Sequence, residues 1–261
     1  MGALHAGHRS LIERALAEND RTVVSIFVNP IQFGAGEDLD RYPRTLDADL
    51  DLCGELGVDL VYVPKVPDVY PPGFATRIRL VGPIADTLEG AHRPGHIEGV
   101  ATIVAKLIVT ARPDRAYFGH KDAQQCAVVR RLAADLDTGC EIVVCATVRD
   151  HDGLALSSRN GRLGLAQRLQ ALAIPAALAA ADAAFAAGER DPEQLRRVMR
   201  SRLGESQDLV VDYAEVIDAA TFEPAAAPCE RFEFLIAGRI GDTRLIDSMR
   251  PGEDGRPIVA G

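Results

Sequence analysis

Five short segments gather the side chains able to do polar chemistry. The chain opens Met1-Gly2-Ala3-Leu4-His5-Ala6-Gly7-His8, two imidazoles three residues apart around a glycine. A helical stripe (Leu11, Ile12, Ala15, Leu16) follows at once, which puts both imidazoles at a helix N-terminus. Unpaired amides and the helix dipole attract anions there. Imidazole donors beside them suit a polyphosphate whose charge grows during reaction. The His-x-x-His spacing is also half of a zinc site, but no Cys-x-x-Cys pair completes it.

Asn29 and Gln32 come just after a β-branched run at 22–28, where open α/β sheets bind ligands. Their amides suit a substrate bearing hydroxyls and a carboxylate; Asn29-Pro30 reads equally as a turn. The segment Phe118-Gly119-His120-Lys121-Asp122-Ala123-Gln124-Gln125 has the same layout of strand, glycine, polar residues and helix. Gly119 lets backbone come close to a ligand, Lys121 can neutralise phosphate, and Gln125 lies one turn on. The alternative is a capped helix with a solvated lysine. In Leu156-Ser157-Ser158-Arg159-Asn160, two hydroxyls and a guanidinium can follow charge onto a leaving group, or a serine can cap a helix starting near Arg162. His92-Arg93-Pro94-Gly95-His96 reads as an exposed loop or as a source of a cation or lid. The acids Glu37, Asp38, Asp40, Asp47, Asp49 and Asp51 read as a solvated helix face or as water-mediated Mg²⁺ ligands.

These segments need a scaffold, and the rest of the chain describes one. Its 261 residues suffice for two modest domains. A net charge of −9 argues against nonspecific nucleic-acid binding but not against a small anion held by local cations. The five cysteines (Cys53, Cys126, Cys140, Cys145, Cys229) are odd in number and read as reduced thiols of a cytoplasmic protein. No signal peptide is recognised, and the longest apolar stretch, 171–187, holds Pro175 and Asp182, so it reads as a soluble helix with no membrane partner.

Strands are expected at 22–28, 58–63, 77–81, 115–118 and 141–148, with helices at 9–19, 40–55, 97–111 and 121–136 between them. Such alternation indicates an α/β fold with a doubly wound parallel sheet. Beyond Asn160 the pattern changes. A helix at 162–187, kinked near Pro175, and one begun by Asp191-Pro192 precede strands at 210–217, 232–240 and 243–247, with a hairpin turn at Gly241-Asp242. The expected division is 1–147 and 148–261, the second a smaller α+β domain.

Taken together, MGALHAGH, FVNPIQFGAGEDLDRYPRT, HRPGHIEGV, RPDRAYFGHKDAQQ and VRDHDGLALSSRN resemble the pantoate–β-alanine ligase family. That family lies within a superfamily of nucleotidyltransferases and class I aminoacyl-tRNA synthetases. The matching stretches span 1–160, with fainter likeness in VDYAEVIDA and TRLID. The resemblance implies a Rossmann-like first domain that binds ATP and pantoate, and a second that closes as a lid. It implies pantoate and β-alanine as substrates, ATP with Mg²⁺, and a homodimer. His5, His8, Lys121, Ser157, Ser158 and Arg159 would be catalytic. Met1, Gly2, Ala3, Leu4, His5, Ala6, Gly7, His8, Gly119, His120, Lys121, Asp122, Val148, Leu156, Ser157, Ser158 and Arg159 would surround ATP. Gln32 and Gln125 would grip pantoate, with Asn29 nearby. Two departures stand out. His120 and Ala123 replace the family's usual glutamate and tyrosine, and Leu156 its methionine. Members also carry about 20–30 residues, a strand and a helix turn, before the position of Met1, so the first strand is expected to be missing from this chain.

Overall fold

Buried apolar faces sort this chain into two separately packed units. One comprises Met1–Gly119 with Gln124–Cys145, the other His120–Ala123 with Ala146–Gly261. The computed structural model describes residues 2–227, 231–252 and 258–259, the last two without their side chains. Met1 and Cys229 lie outside the described residues.

In the first unit, α1 (Ala6–Glu18) is capped by His5 and buries Ile12 and Ala15. These pack against Val24 and Ile26, in and just beyond β1 (Val23–Ser25), and against Cys53 on α2 (Leu46–Leu56). α2 starts six residues later than the pattern suggested. Pro43 biases Tyr42 to the extended region (φ −64°, ψ 129°), so Leu39–Arg41 make only a single 3-10 turn. Gly57, at φ 77°, ends the helix in a left-handed conformation. β2 (Leu60–Tyr62) pairs with β1 in parallel, Val23 opposite Leu60. The expected strand over 22–28 is shorter than its apolar run, because Pro30 opens a 3-10 turn (Pro30–Gln32) and draws the chain out of the ladder.

The single-turn helices α3 (Val66–Val69), α4 (Pro83–Asp86) and α5 (Glu89–His92) occupy the crossover that follows. The edge strand expected at 77–81 does not form. Ile78 N–H donates to Thr102 Oγ1 (3.0 Å) instead of to a strand, and Ile78 and Leu80 pack on the core around α6. α6 (His96–Ala111) is buried on most sides and stops at Arg112, just before Pro113. β3 (Arg115–Gly119) and β4 (Glu141–Cys145) pair in parallel around α7 (Ala123–Asp135). Both parallel pairs are therefore strand–helix–strand crossovers, as the alternation required. Residues 120–122 form a 3-10 turn, so α7 begins two residues later than expected.

The strand expected at 141–148 is two strands. β4 ends at Cys145, and β5 (Val148–Arg149) belongs to the second unit, where it pairs in parallel with β10 (Ile258–Val259). The alanine-rich segment divides into α8 (Leu165–Ala171) and α9 (Ala173–Ala186). Pro175 has no N–H for the Ala171 carbonyl, and the break falls there. By length and composition Leu165–Ala186 could cross a membrane, yet Ile174, Ala177, Leu178 and Ala181 are packed in the core. α10 (Pro192–Leu203) starts as its sequence indicated, with Asp191 accepting from Glu193 N–H (2.9 Å). α9 and α10 bury Ile174, Leu178, Leu195 and Met199 with Phe234, Ile236 and Ile240 of the antiparallel sheet. Its strands are β6 (Leu209–Asp218), β7 (Glu223–Pro224), β8 (Phe232–Ile240) and β9 (Thr243–Met249), in the order β7-β6-β8-β9. Gly241-Asp242 joins β8 to β9 as the expected two-residue hairpin.

Candidate active site

The first unit carries the histidine segment, Asn29, Gln32, Gly119 and Gln125. At the start of α1, His5 Nδ1 accepts from Gly7 N–H (3.2 Å) and His8 Nδ1 from His5 N–H (3.3 Å). The rings lie 4.1 Å apart between centroids. A neutral imidazole that accepts at Nδ1 carries its hydrogen on Nε2, and both rings stand at a helix N-terminus.

The loop before α1 has a clamp that the sequence did not reveal as such. Asp49 on α2, only 2% exposed, accepts from Ala3 N–H (2.9 Å), Leu4 N–H (2.8 Å) and Thr45 Oγ1–H (3.0 Å). It holds Ala3 at a positive φ of 50°. Asp49 is thus neither solvated nor a metal ligand. The signal was its register: it lies one turn from Cys53 on the buried face of α2. Gly2 lies against Val28, where a Cβ would meet Val28 Cγ2 at 3.3 Å. The histidine loop therefore runs alongside the strand exit that leads to Asn29 and Gln32.

Asn29 is buried, and its hydrogen bonds run to the protein itself. Its Nδ2 donates to Gln32 Oε1 (3.0 Å) and Gly99 O (3.1 Å), and its Oδ1 accepts from Tyr70 O–H (2.7 Å). Burial pushes the Tyr70 phenol up to about 12, so it stays a donor. Asn29 orients Gln32 and leaves the Gln32 Nε2 donors for a ligand.

The backbone of Gln32 is held as firmly. His96 Nδ1–H donates to Gln32 O (2.9 Å), and His96 Nε2 accepts from Arg93 Nη1 (2.9 Å). Burial, reinforced by the Arg93 charge, lowers His96 to about 4 and keeps it neutral. Arg93 makes a two-pronged bond to Glu37 (2.9 and 2.8 Å) and a longer one to Glu89 (3.4 Å). Burial works against the Glu37 charge, but its bonds to Arg93 bring the carboxyl below its ordinary value. The exposed loop expected at 92–96 therefore holds for His92, Pro94 and Gly95, whereas Arg93 and His96 face inward. Gly99 is required where it stands: a Cβ there would lie 2.4 Å from Ile31 O and 2.5 Å from Gln32 Cα. Gln124 was also overlooked. It is 3% exposed, accepts from Glu89 N–H (2.9 Å) and donates to Ile84 O and Thr87 O (3.0 and 2.9 Å). Its neighbour Gln125, on the same turn of α7, is only partly buried.

The second unit carries His120, Lys121, Asp122, Val148, Leu156, Ser157, Ser158 and Arg159. Lys121 Nζ stands 3.7 Å from Asp122 Oδ1, and its side chain is 18% exposed. The His120 imidazole is engaged by Glu233 and buried. Ser157 Oγ accepts from Arg159 N–H (3.2 Å), and Ser157 O from Asn160 N–H (2.9 Å). The serine thus caps its own turn and not α8, which starts at Leu165. The strand exit beneath that turn is tied down twice. Arg149 pairs with buried Asp247 (2.6 Å), and Arg168 bridges Asp150 (2.5 Å) and Asp152 (2.7 Å). Val148 O accepts from Leu156 N–H (3.0 Å).

The family described as Pantoate-beta-alanine ligase matches residues 1–250. The chain belongs to that family. The pantothenate synthetase of Gluconobacter oxydans (strain 621H) is 52% identical over 249 residues, 95% of this chain and 90% of that protein. A bifunctional pantoate ligase/cytidylate kinase of Gloeobacter violaceus is 50% identical over 262 residues, and this chain spans only 51% of its length. Pantothenate synthetase from Thermus thermophilus superposes with a TM-score of 0.93 at 44% identity, covering 95% of this chain and 90% of that one. The family member from Francisella tularensis, solved in complex with β,γ-ATP and β-alanine, gives a TM-score of 0.78 at 34% identity, covering 96% and 87%. The mixed α/β fold with a smaller antiparallel domain is thus the family's fold.

Proposed function

We propose that this chain condenses pantoate with β-alanine at the expense of ATP. The pantoate carboxylate attacks the α-phosphorus, giving pantoyl adenylate and pyrophosphate. The β-alanine amine then attacks the activated carbonyl, giving pantothenate and AMP. Family membership over residues 1–250 carries this reading, and a relative holding ATP and β-alanine in its crystal supports the substrates.

The chemistry asks for alignment and positive charge, because a carboxylate and a triphosphate repel each other. Nε2–H donors of His5 and His8, with the amides at the start of α1, bind phosphate oxygens. Lys121, Ser157, Ser158 and Arg159 stabilise charge on the transferring phosphorus and departing pyrophosphate. Gln32 and Gln125 hold pantoate, and Asn29 keeps Gln32 aimed. The resemblance assigns Val148, Leu156, Gly119, residues 120–122 and residues 1–8 to the nucleotide, and because Glu233 takes the His120 imidazole, His120 would offer its backbone. No cluster of three His, Cys, Asp or Glu side chains able to hold a metal is found among the described residues. Asp49 and Glu37 are already committed to protein donors. Mg²⁺, which the resemblance implies, would accompany ATP and offset the charge of its phosphates. The resemblance alone supports a homodimer; the net charge of −9 and the cysteine usage support a cytoplasmic protein without nucleic-acid partners.

Purified protein given ATP, Mg²⁺, pantoate and β-alanine is expected to yield AMP and pantothenate in equal amounts. Pyrophosphate with a stable nucleotidyl product would make it a nucleotidyltransferase. Bound ATP with no turnover would make it a noncatalytic relative.

A further inference from the structure

The β8–β9 hairpin holds both polar loops of the second unit. Ser248, 1% exposed, donates from Oγ to His120 O (2.7 Å), and Glu233, 3% exposed, takes the His120 imidazole. Arg250 Nε lies 3.8 Å from the other Glu233 oxygen. Next to Ser248, Asp247 grips Arg149 with two bonds (2.6 and 3.1 Å), and Arg149 also donates to Gly153 O (3.2 Å). Leu235 is opposite Ser248 and Ile236 opposite Asp247. By strand alternation, Glu233 and Ser248 project from one face of the hairpin and Asp247 from the other. One face thus fixes residue 120, directly before Lys121. The other fixes the β5 exit from which the 156–159 turn hangs.

We propose that Glu233, Ser248 and Asp247 are positioning residues for adenylate formation, registering the Lys121 turn against the Ser157-Ser158-Arg159 turn. Lysine is a point charge on a flexible four-carbon stem, so its aim depends on how firmly its backbone is set. Here the preceding residue is held at both carbonyl and side chain, and the Lys121 Cα lies about 3.8 Å from it across one peptide. The His120 imidazole is itself the partner of the buried Glu233 carboxyl. The proposal rests on the reading that Lys121 acts on the phosphates.

The test separates the two half-reactions. Ser248→Ala and Glu233→Gln keep shape and fold more readily than Glu233→Ala, which serves as the severe variant. In the two mild variants, pyrophosphate release with ATP and pantoate is expected to fall about tenfold or more, the scale of a sub-ångström to ångström misplacement. Aminolysis of supplied pantoyl adenylate by β-alanine should stay within about twofold, since it needs no pyrophosphate departure. Added to Lys121→Ala, either substitution should slow adenylation no further, because the group it aims is gone. Parallel loss of both half-reactions, tracking a lowered melting temperature, would overturn the proposal. So would unchanged adenylation in both variants while Lys121→Ala is slow, or full additivity with it. Unimpaired adenylation in Lys121→Ala would instead sink the reading of Lys121 itself, and this proposal with it.

Discussion

If His8 and Lys121 act on the phosphates as proposed, removing either one deletes a preorganised charge partner. His8→Ala and Lys121→Ala are each expected to slow turnover about a hundredfold, read as pyrophosphate release. Asp49 acts differently, since it touches only protein. Asp49→Ala leaves the Ala3 and Leu4 amides without their acceptor, at about 1–3 kcal/mol for each group left unsatisfied. Urea unfolding should show that loss, and ATP affinity should fall with it as the histidine loop loosens. His96 predicts an acid limb. Its folded pKa of about 4 lies below the unfolded value of about 6.5, so the unfolded chain binds the extra proton between them. Stability is therefore full above about pH 6.5 and declines as pH falls toward 4, by about 3 kcal/mol in all. Urea titrations from pH 7 to 4.5 should show this slope in the wild type and a shallower one in His96→Gln. The same slope in both would remove His96 as its source.

At the scale of elements, the critical contact is the approach of α6 to the turn at Pro30–Gln32. Gly99→Ala must push Ile31 and Gln32 aside, because the added methyl would sit 2.4 Å from a carbonyl oxygen. An increase of about tenfold or more in KM for pantoate is expected, with the KM for ATP little changed. An unchanged pantoate KM would show that Gln32 does not grip that substrate. Much of this level was legible in the sequence. Capping residues, glycine stops and apolar periods placed α1, α6, α10 and the β8–β9 hairpin, because those signals are local. The errors arose where a local pattern lost to a tertiary partner. Residues 77–81 alternate like a strand, but Thr102 takes the Ile78 amide. Glu37 and Asp49 look like solvent-facing acids, but Arg93 and two backbone amides claim them. Spacing left each motif open between a polar site and a cap, turn or loop, and the resemblance decided between them, whereas Tyr70 and Glu233, which bind Asn29 and His120, lie far away in sequence and carry no local mark.

Across the whole molecule, each unit has its own apolar core, one around α6 and α7, the other between α9, α10 and the antiparallel sheet. Phe234, fully buried in the second core, is a probe of how far they are coupled. Phe234→Ala is expected to cost about 3–5 kcal/mol there. Hydrogen exchange should then speed up in β8 and β9 before it does in α6, as for two partly independent cooperative units. Simultaneous loss of protection in both would mean that they unfold as one. The chain path sets a limit on dividing them. Residues 120–123 leave the first unit, dock in the second and return, so the second unit is not a contiguous stretch of sequence. A fragment beginning at Ala146 would leave the buried Glu233 carboxyl and the Ser248 hydroxyl without their partner His120, at about 1–3 kcal/mol for each group left unsatisfied. Excision at the apparent boundary should therefore give a molten or insoluble product, and a tethered peptide carrying residues 118–124 should restore it.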